Sequence, residues 1–414
     1  MPLLASIEEF KHNAARVEVT FSGLKWGNML SRLNLPQLAN GSKRIAIATG
    51  GTSGHLFPAL ASAHGYRHQC LAEVLFFTTT TEEAALIERH GYPCIVIHGS
   101  PVARQNLRRK IQAVANVGIG CVQAFRVFRS FKPDVVIGFG SYATAGPILA
   151  GRMMGIKTAI HESNIMPGLA NKVLGPYVDR IYLGFKDAAR HFPRRKTLVT
   201  GNPVRPEIAY ANLVAKPAPE GTRPARILVT GGSSGSHFLN LEIPPLLKTL
   251  TARGISIEIL HQCGAGEDEM VRRLYDQMGL HSSVTPYIED MLGAYEWADF
   301  AITCSGAATL AEMATIGLPS LMVPLRCAAA QHQVQNAIAF AQHSGWWLSE
   351  ENWERNAVAE RLTSILANPR IWDQMAEGAK ACAASDAVRI MVADFELITG
   401  DLRQREMPAP ARSI

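Results

Sequence analysis

The sequence lacks the cysteine patterns that would declare a metal site or a disulfide framework. Its seven cysteines (Cys70, Cys94, Cys121, Cys263, Cys304, Cys327 and Cys382) are odd in number, scattered and never spaced as CxxC. Neither a zinc ribbon nor a stapled secreted scaffold fits them. No run of 18 or more apolar residues is present, and the N-terminus lacks the charged, apolar and small-residue order of a signal peptide. The expectation is a chain of the cytoplasm without a membrane span. Aromatic-interleaved basic motifs and helix-turn-helix signatures are also missing, which removes nucleic acid as a partner.

What is present is uneven. The formal charge of +6 divides into 24 Lys and Arg against 11 Asp and Glu in residues 1–200, net +13, and 17 against 24 in residues 201–414, net −7. The first half therefore prefers anionic partners, an anionic membrane surface or a phosphorylated ligand. At 414 residues the chain is long for one core, so two domains are expected.

The same turn occurs twice. "RIAIATGGTSGHLFPAL" begins at Arg44, and "RILVTGGSSGSHFLNL" begins 182 residues later at Arg226. Each is an apolar strand running into small residues and then a helix, whose free N–H groups and dipole attract an anion. Neither turn matches GxGxxG or GxxxxGK[ST], so a dinucleotide or ATP is not indicated. A third small-residue turn, "GFGSYATAGP", follows "PDVVI".

The short apolar runs "RIAIAT", "EVLFFTT", "PCIVIHG", "PDVVIGFG" and "KTAIHES" form one set. "RILVTGG", "SIEILHQCG", "SVTPYIED", "FAITCSG" and "PSLMVPL" form another. Alternation with helix-length segments predicts two parallel sheets covered on both faces, with a cleft at the carboxyl ends of their strands. The boundaries read as an N-terminal extension over 1–42, in which Met29 is an alternative start, a first domain over 43–206, a Pro-rich linker over 207–224, a second domain over 225–400 and a tail over 401–414. The segment "DAVRIMVADFELITG" near the C-terminus could pack back across the hinge.

"GGTSGHLFPALA", "GFGSYATAGP", "HESNIMPGLANK", "GNPVR", "GGSSGS", "HQCG", "YIEDM", "SGAATLAEMATIGLP" and "HQVQNA" stand in the order and at about the spacing seen in MurG-type glycosyltransferases, which the chain resembles over roughly residues 43–400. The resemblance implies an α/β chain of GT-B architecture, two doubly wound Rossmann-like domains facing a cleft. It implies transfer of N-acetylglucosamine from UDP-N-acetylglucosamine to the C4 hydroxyl of MurNAc in membrane-bound lipid I, with inversion and without metal or cofactor. The acceptor would be held by the first domain and the donor by the second.

Carried over by position, Ser233 resembles a diphosphate ligand and Arg205 a hinge-side donor contact. The backbone of Ile288 resembles the uracil reader, and Glu312 the ribose ligand. Ala307, Ala308, Thr309, Leu310 and Ala311 begin the helix aimed at the phosphates. Gln333 would grip sugar hydroxyls, with His332 and Asn336 near. Thr52, Ser53, Gly54 and Asn164 would approach from the other domain. The base is His55 or Glu162; the residues leave that choice open, since His55 could instead only order its turn and Glu162 could be structural. Glu312 in turn could be an exposed helix acid.

The basic ends of "RQNLRRKIQAVANVGIGCVQAFRVFRSFK", with Arg104, Arg108, Arg109 and Lys110, suggest a helix whose middle packs inside while its charges face lipid headgroups. The expected location is the cytoplasmic face of a bacterial membrane, as a peripheral protein, with cell-wall synthesis proteins as further partners. Ser53, Ser141, Ser234 and Ser236 depart from the family's glycines and neighbouring pattern. Cys304 stands where relatives carry arginine, a charge Arg326 is placed to restore. The alternatives are a related GT-B enzyme with another acceptor, an epimerase-like enzyme acting on UDP-N-acetylglucosamine, or a binder without activity.

Overall fold

The computed structural model describes residues 43–51, 53–100, 107–211, 218–219, 223–326, 332–343, 345–384 and 386–400. Among them, two wholly parallel sheets carry the fold. The first contains β1 (Arg44–Ala48), β2 (Glu73–Thr78), β3 (Cys94–Val96), β4 (Val135–Gly138), β5 (Lys157–Glu162), β6 (Arg180–Leu183) and β7 (Thr197–Val199), in the order β3-β2-β1-β4-β5-β6-β7. The second contains β8 (Ala225–Thr230), β9 (Ile257–Gln262), β10 (Ser282–Thr285), β11 (Phe300–Thr303), β12 (Ser320–Met322) and β13 (Trp346–Trp347), in the order β10-β9-β8-β11-β12-β13. In each sheet the order reverses beside the opening strand, between β1 and β4 and between β8 and β11. Crevices for ligands open at such points.

The strands are near-continuous apolar runs because helices cover both faces. Ile45 to Ala48 are fully buried, in register with Val135 to Gly138 on one side and Val74 to Phe77 on the other. Strands β6, β7 and β13 were not among the sequence runs. β6 (RIYL) opens on an arginine and has one β-branched residue, β7 (TLV) is not buried, and β13 is only two tryptophans, so none presents a run of buried β-branched residues.

Helix α1 (Ser53–Gln69) leaves the first glycine turn, and α2 (Thr81–Arg89) follows β2. Thr80 caps α2 by accepting from the Glu83 N–H at 3.3 Å, with Glu82 and Glu83 in the first turn and Arg89 in the last, as the helix dipole favours. Helix α3 (Leu107–Phe131) follows β3, and α4 (Ala145–Met153) follows the third turn.

Within Ile111–Phe131 of α3 an 18-residue stretch reaches a mean hydropathy of 1.3, so by length and composition alone the helix could cross a bilayer. The stretch is not a continuous apolar run, since Gln112, Asn116, Gln123, Arg126 and Arg129 interrupt it. The helix is nonetheless two-sided: Ala113, Ala124, Val127, Phe128 and Phe131 are buried, while Ile111, Val114 and Val122 are exposed.

The remaining helices are α5 (Leu169–Leu174), α6 (Pro206–Ala209), α7 (His237–Ala252), α8 (Asp268–Gln277), α9 (Met291–Trp297), α10 (Ala307–Ile316), α11 (His332–Ala341), α12 (Arg355–Ala367), α13 (Pro369–Ala381) and α14 (Ala387–Thr399). Helix α14 returns to the first sheet. Its Met391, Val392 and Phe395 belong to the core that contains Ile45, Tyr66, Phe76 and Tyr182. Asp394 accepts from Arg180 Nε at 2.8 Å and from the Tyr182 hydroxyl at 3.0 Å.

Candidate active site

A cleft of about 910 Å³ runs along the carboxyl ends of both sheets. On the first sheet, the glycine turn after β1 brings Gly54 and His55 to its wall. Thr52 lies outside the described residues, and Ser53 is the first residue of α1. The turn after β4 passes directly beneath the His55 ring. A Cβ on Gly140, whose φ is +84°, would lie 2.9 Å from imidazole atoms, so only glycine permits this approach. The Nδ1 atom of His55 is buried without a protein partner. Burial lowers the pKa of His55 below the ordinary 6.5, opposed by Glu162, reinforced by His332 and opposed more weakly by Glu83. A neutral ring with a vacant nitrogen can take a proton.

Glu162 ends β5 and is 1% exposed. Its Oε1 accepts from the Asn164 backbone at 2.9 Å and from Asn164 Nδ2 at 3.3 Å. Its Oε2 accepts from the Gly168 N–H at 3.0 Å and Asn171 Nδ2 at 2.9 Å. Four donors fill both oxygens, and the carboxylate thereby shapes the loop that leads into α5.

That loop is clasped to the second sheet by a buried amide. Asn336 Nδ2 donates to Asn164 Oδ1 at 3.0 Å and to the Ser305 carbonyl at 3.3 Å, while Asn336 Oδ1 accepts from the Ile165 N–H at 3.2 Å.

On the second sheet, the turn after β8 brings Ser233 and Ser234 to the cleft. Ser236 is consumed as the cap of α7, accepting from the Leu239 N–H at 3.3 Å. A Cβ on Gly235, whose φ is +73°, would fall 1.9 Å from the Cys263 carbonyl oxygen, so this turn is braced against the loop after β9. Gln262 completes the brace. Its Nε2 donates to the Gly232 carbonyl at 2.7 Å and to Thr230 Oγ1 at 3.2 Å, while its Oε1 accepts from the Ile288 N–H at 2.8 Å.

Helix α10 begins after Gly306, and Ala307, Ala308 and Thr309 of its first turn line the cleft with Glu312 one turn further on. Leu310 and Ala311 instead pack into the interior. Glu312 is a buried acid, not an exposed one. It accepts from the Tyr295 hydroxyl at 3.0 Å and forms an ion pair with Arg205 Nε at 3.1 Å. Burial raises its pKa, with Arg205 and Tyr295 pulling the other way. Gln333 also lines the cleft, its Oε1 accepting from the Leu325 N–H at 2.9 Å. The neighbouring His332 has a buried Nδ1 without a partner.

Cys304 faces the cleft as a thiol whose pKa is pushed up to about 12 by burial. Arg326 does not restore the charge: it is exposed and paired with Glu351 at 3.3 Å. Arg205 is the one Lys or Arg among the described lining residues. Sequence reasoning missed Phe57, Gln262, Asn171 and Tyr295. Of these, Gln262 sits inside the "HQCG" stretch and Phe57 beside His55, but nothing local reveals their partners.

Two family models match the chain: the glycosyltransferase family 28 N-terminal domain over residues 45–183 and the glycosyltransferase family 28 C-terminal domain over residues 226–390. A relative from Geotalea uraniireducens is 34% identical over 352 residues, covering 84% of this chain and 96% of its own. One from Desulfotalea psychrophila is 36% identical over 357 residues, covering 85% and 95%. Both are named UDP-N-acetylglucosamine–N-acetylmuramyl-(pentapeptide) pyrophosphoryl-undecaprenol N-acetylglucosamine transferase. Among solved structures, MurG of Acinetobacter baumannii superposes with a TM-score of 0.68 at 30% identity, covering 86% of this chain and 99% of that one. A UDP-N-acetylglucosamine 2-epimerase superposes with a TM-score of 0.62 at 14% identity and shares the fold alone.

Proposed function

The chain belongs to glycosyltransferase family 28, and from that premise we propose that it transfers N-acetylglucosamine from UDP-N-acetylglucosamine to the C4 hydroxyl of MurNAc in lipid I. The reading is carried by one juxtaposition. A neutral histidine with a vacant nitrogen stands on one wall of the cleft, and the first turn of α10 with Arg205 stands on the other.

In this reading His55 takes the proton of the C4 hydroxyl as its oxygen attacks the anomeric carbon. The bond from that carbon to the β-phosphate oxygen breaks on the opposite side, inverting the centre. The electron pair leaves on UDP, where the N–H groups of Ala307, Ala308 and Thr309 and the guanidinium of Arg205 spread the charge. Ser233 in the second turn binds the diphosphate, the Ile288 backbone reads uracil, Glu312 accepts from the ribose hydroxyls, and Gln333 holds the sugar. Leu310 and Ala311 contribute through the helix backbone. Thr52, Ser53, Gly54 and Asn164 contact the sugar or acceptor from the first domain. Glu162 is assigned a positioning role, because its oxygens already hold four donors.

The outer wing of the cleft supports a lipid-linked acceptor and peripheral binding at the cytoplasmic membrane face. Val114, Leu149, Leu169, Val173 and Tyr177 line it and are exposed, beside Lys172 and Arg152 on the same helices. An exposed apolar patch of this kind marks a surface meant to be covered. Positions 108–110 of α3 add basic residues near its start; Arg104 lies outside the described residues.

The test is UDP release. Purified protein given UDP-N-acetylglucosamine and a short-chain lipid I analogue releases UDP only when both are present. Absence of turnover with that pair, or release that ignores the acceptor, would contradict the proposal.

A further inference from the structure

Among the described residues that line the cleft, Arg205 carries the fixed positive charge, so what holds its long side chain decides where that charge sits. Glu312 holds it incompletely. The Arg205 Nε lies 3.1 Å from Glu312 Oε1, yet makes no hydrogen bond of acceptable angle, and both groups are shielded, at 12% and 6% side-chain exposure. The second hold is aromatic. The guanidinium carbon lies 4.0 Å above the centre of the Phe57 ring, and Phe57 is itself seated against the first-sheet core and lines the cleft. The backbone adds a third restraint, since Arg205 precedes Pro206 at the first position of α6.

We propose that Phe57 is a positioning residue for the leaving group: its ring face seats the Arg205 guanidinium between the two sheets, where the charge meets the donor's diphosphate. Glu312 cannot do this alone, because once its oxygens accept from a ribose its hold on Arg205 weakens. The ring makes no such exchange. It also stands two residues after His55 on the same helix, so the base and the seat of the counter-charge share one rigid element. The chain has particular need of this seat. Cys304 lines the cleft as an uncharged thiol, and Arg326 is engaged at the surface.

The inference rests on the reading of Arg205 as a diphosphate ligand, and the experiment separates the two. Calorimetric titration of the full chain with UDP and with uridine is paired with steady-state kinetics for Phe57→Leu, Phe57→Met and Phe57→Tyr. The two aliphatic variants keep an apolar side chain but lose the ring face, so one that folds suffices. Such a variant should bind UDP about tenfold more weakly, the order of one buried cation–π contact. Uridine affinity should be unchanged, the donor KM raised and the acceptor KM unmoved. Phe57→Tyr, which keeps the face, should stay near the unsubstituted protein. Equal loss of uridine affinity, equal loss in Phe57→Tyr, or full UDP affinity in the aliphatic variants would overturn the proposal. An unsubstituted chain that binds uridine and UDP alike would overturn the reading of Arg205, and the role of Phe57 with it.

Discussion

Gly51 and Gly232 occupy matching places in the two copies of one turn, but the first gives its N–H to a carboxylate, Glu83, at 2.5 Å and the second gives its own to a hydroxyl, Thr230, at 3.1 Å. The contrast extends outward. Glu83 also accepts from the Thr78 hydroxyl, so the first turn is held by a charged group from α2. The second is held by the neutral amide of Gln262. A turn whose amide already faces a fixed anion is a poor seat for another, whereas a turn braced by neutral groups keeps its positive potential for a ligand. In the proposed function the duplication separates into a platform for His55 and a seat for the donor's phosphate, where the sequence alone suggested two anion-binding ends.

The histidines make the same point. The second copy has one too, His237, displaced by one residue. On a helix one residue is a rotation of about 100°, enough to turn His237 away to solvent, where it is 66% exposed and pairs with Glu267 at 3.0 Å.

Of the groups on the two turns, His55 is the reactive one in the proposed function. His55→Ala should lower kcat by about 10²–10⁴-fold, the usual worth of a positioned base, with UDP affinity by calorimetry unchanged. Next is an exchange of braces. Gln262→Glu would give the second turn the anion of the first, and like charges about 6 Å apart at an effective dielectric near 20 should weaken UDP binding about a hundredfold. A variant that binds UDP as before would show that the diphosphate does not rest there.

The reverse exchange, Glu83→Gln, is gentler. Glu83 raises the pKa of His55, as Glu162 does more strongly and against His332. Removing its charge should therefore move the acidic limb of the kcat/KM profile to lower pH, because the base stays neutral further down. A limb that moves up, or a lost profile, would contradict this. The smallest effect belongs to His237→Ala, for which turnover should remain within about twofold, as for other exposed positions.

Much of this was legible in the sequence, and for physical reasons. Buried parallel strands must be apolar runs, so "RIAIAT" and "RILVT" announced β1 and β8, and small residues after them announced the turns. His55, Arg205 and Glu312 came from motifs and line one cleft. The braces were not legible, because they join residues far apart in the chain: Gln262 reaches back to Thr230 and Gly232, and Arg205 meets Phe57 across 148 positions. Glu83 was hidden differently. Thr80-x-x-Glu83 reads as a capping box, and Thr80 does cap α2, but the glutamate side chain is diverted to Gly51.

The returning helix α14 makes the first half of the molecule discontinuous in sequence. Burying Met391 and Phe395 is worth roughly 1.5–3 kcal/mol each, and Asp394 closes over Arg180 and Tyr182. A fragment cut at the Pro-rich linker would lose all of this and leave Tyr66 and its neighbours open to water. Such a fragment should be recovered soluble only when the segment 386–400 is supplied, fused to it or added as a separate peptide. Helix α14 is thus a plug for the first half of the molecule, and a split into two separately expressed pieces has to leave it there.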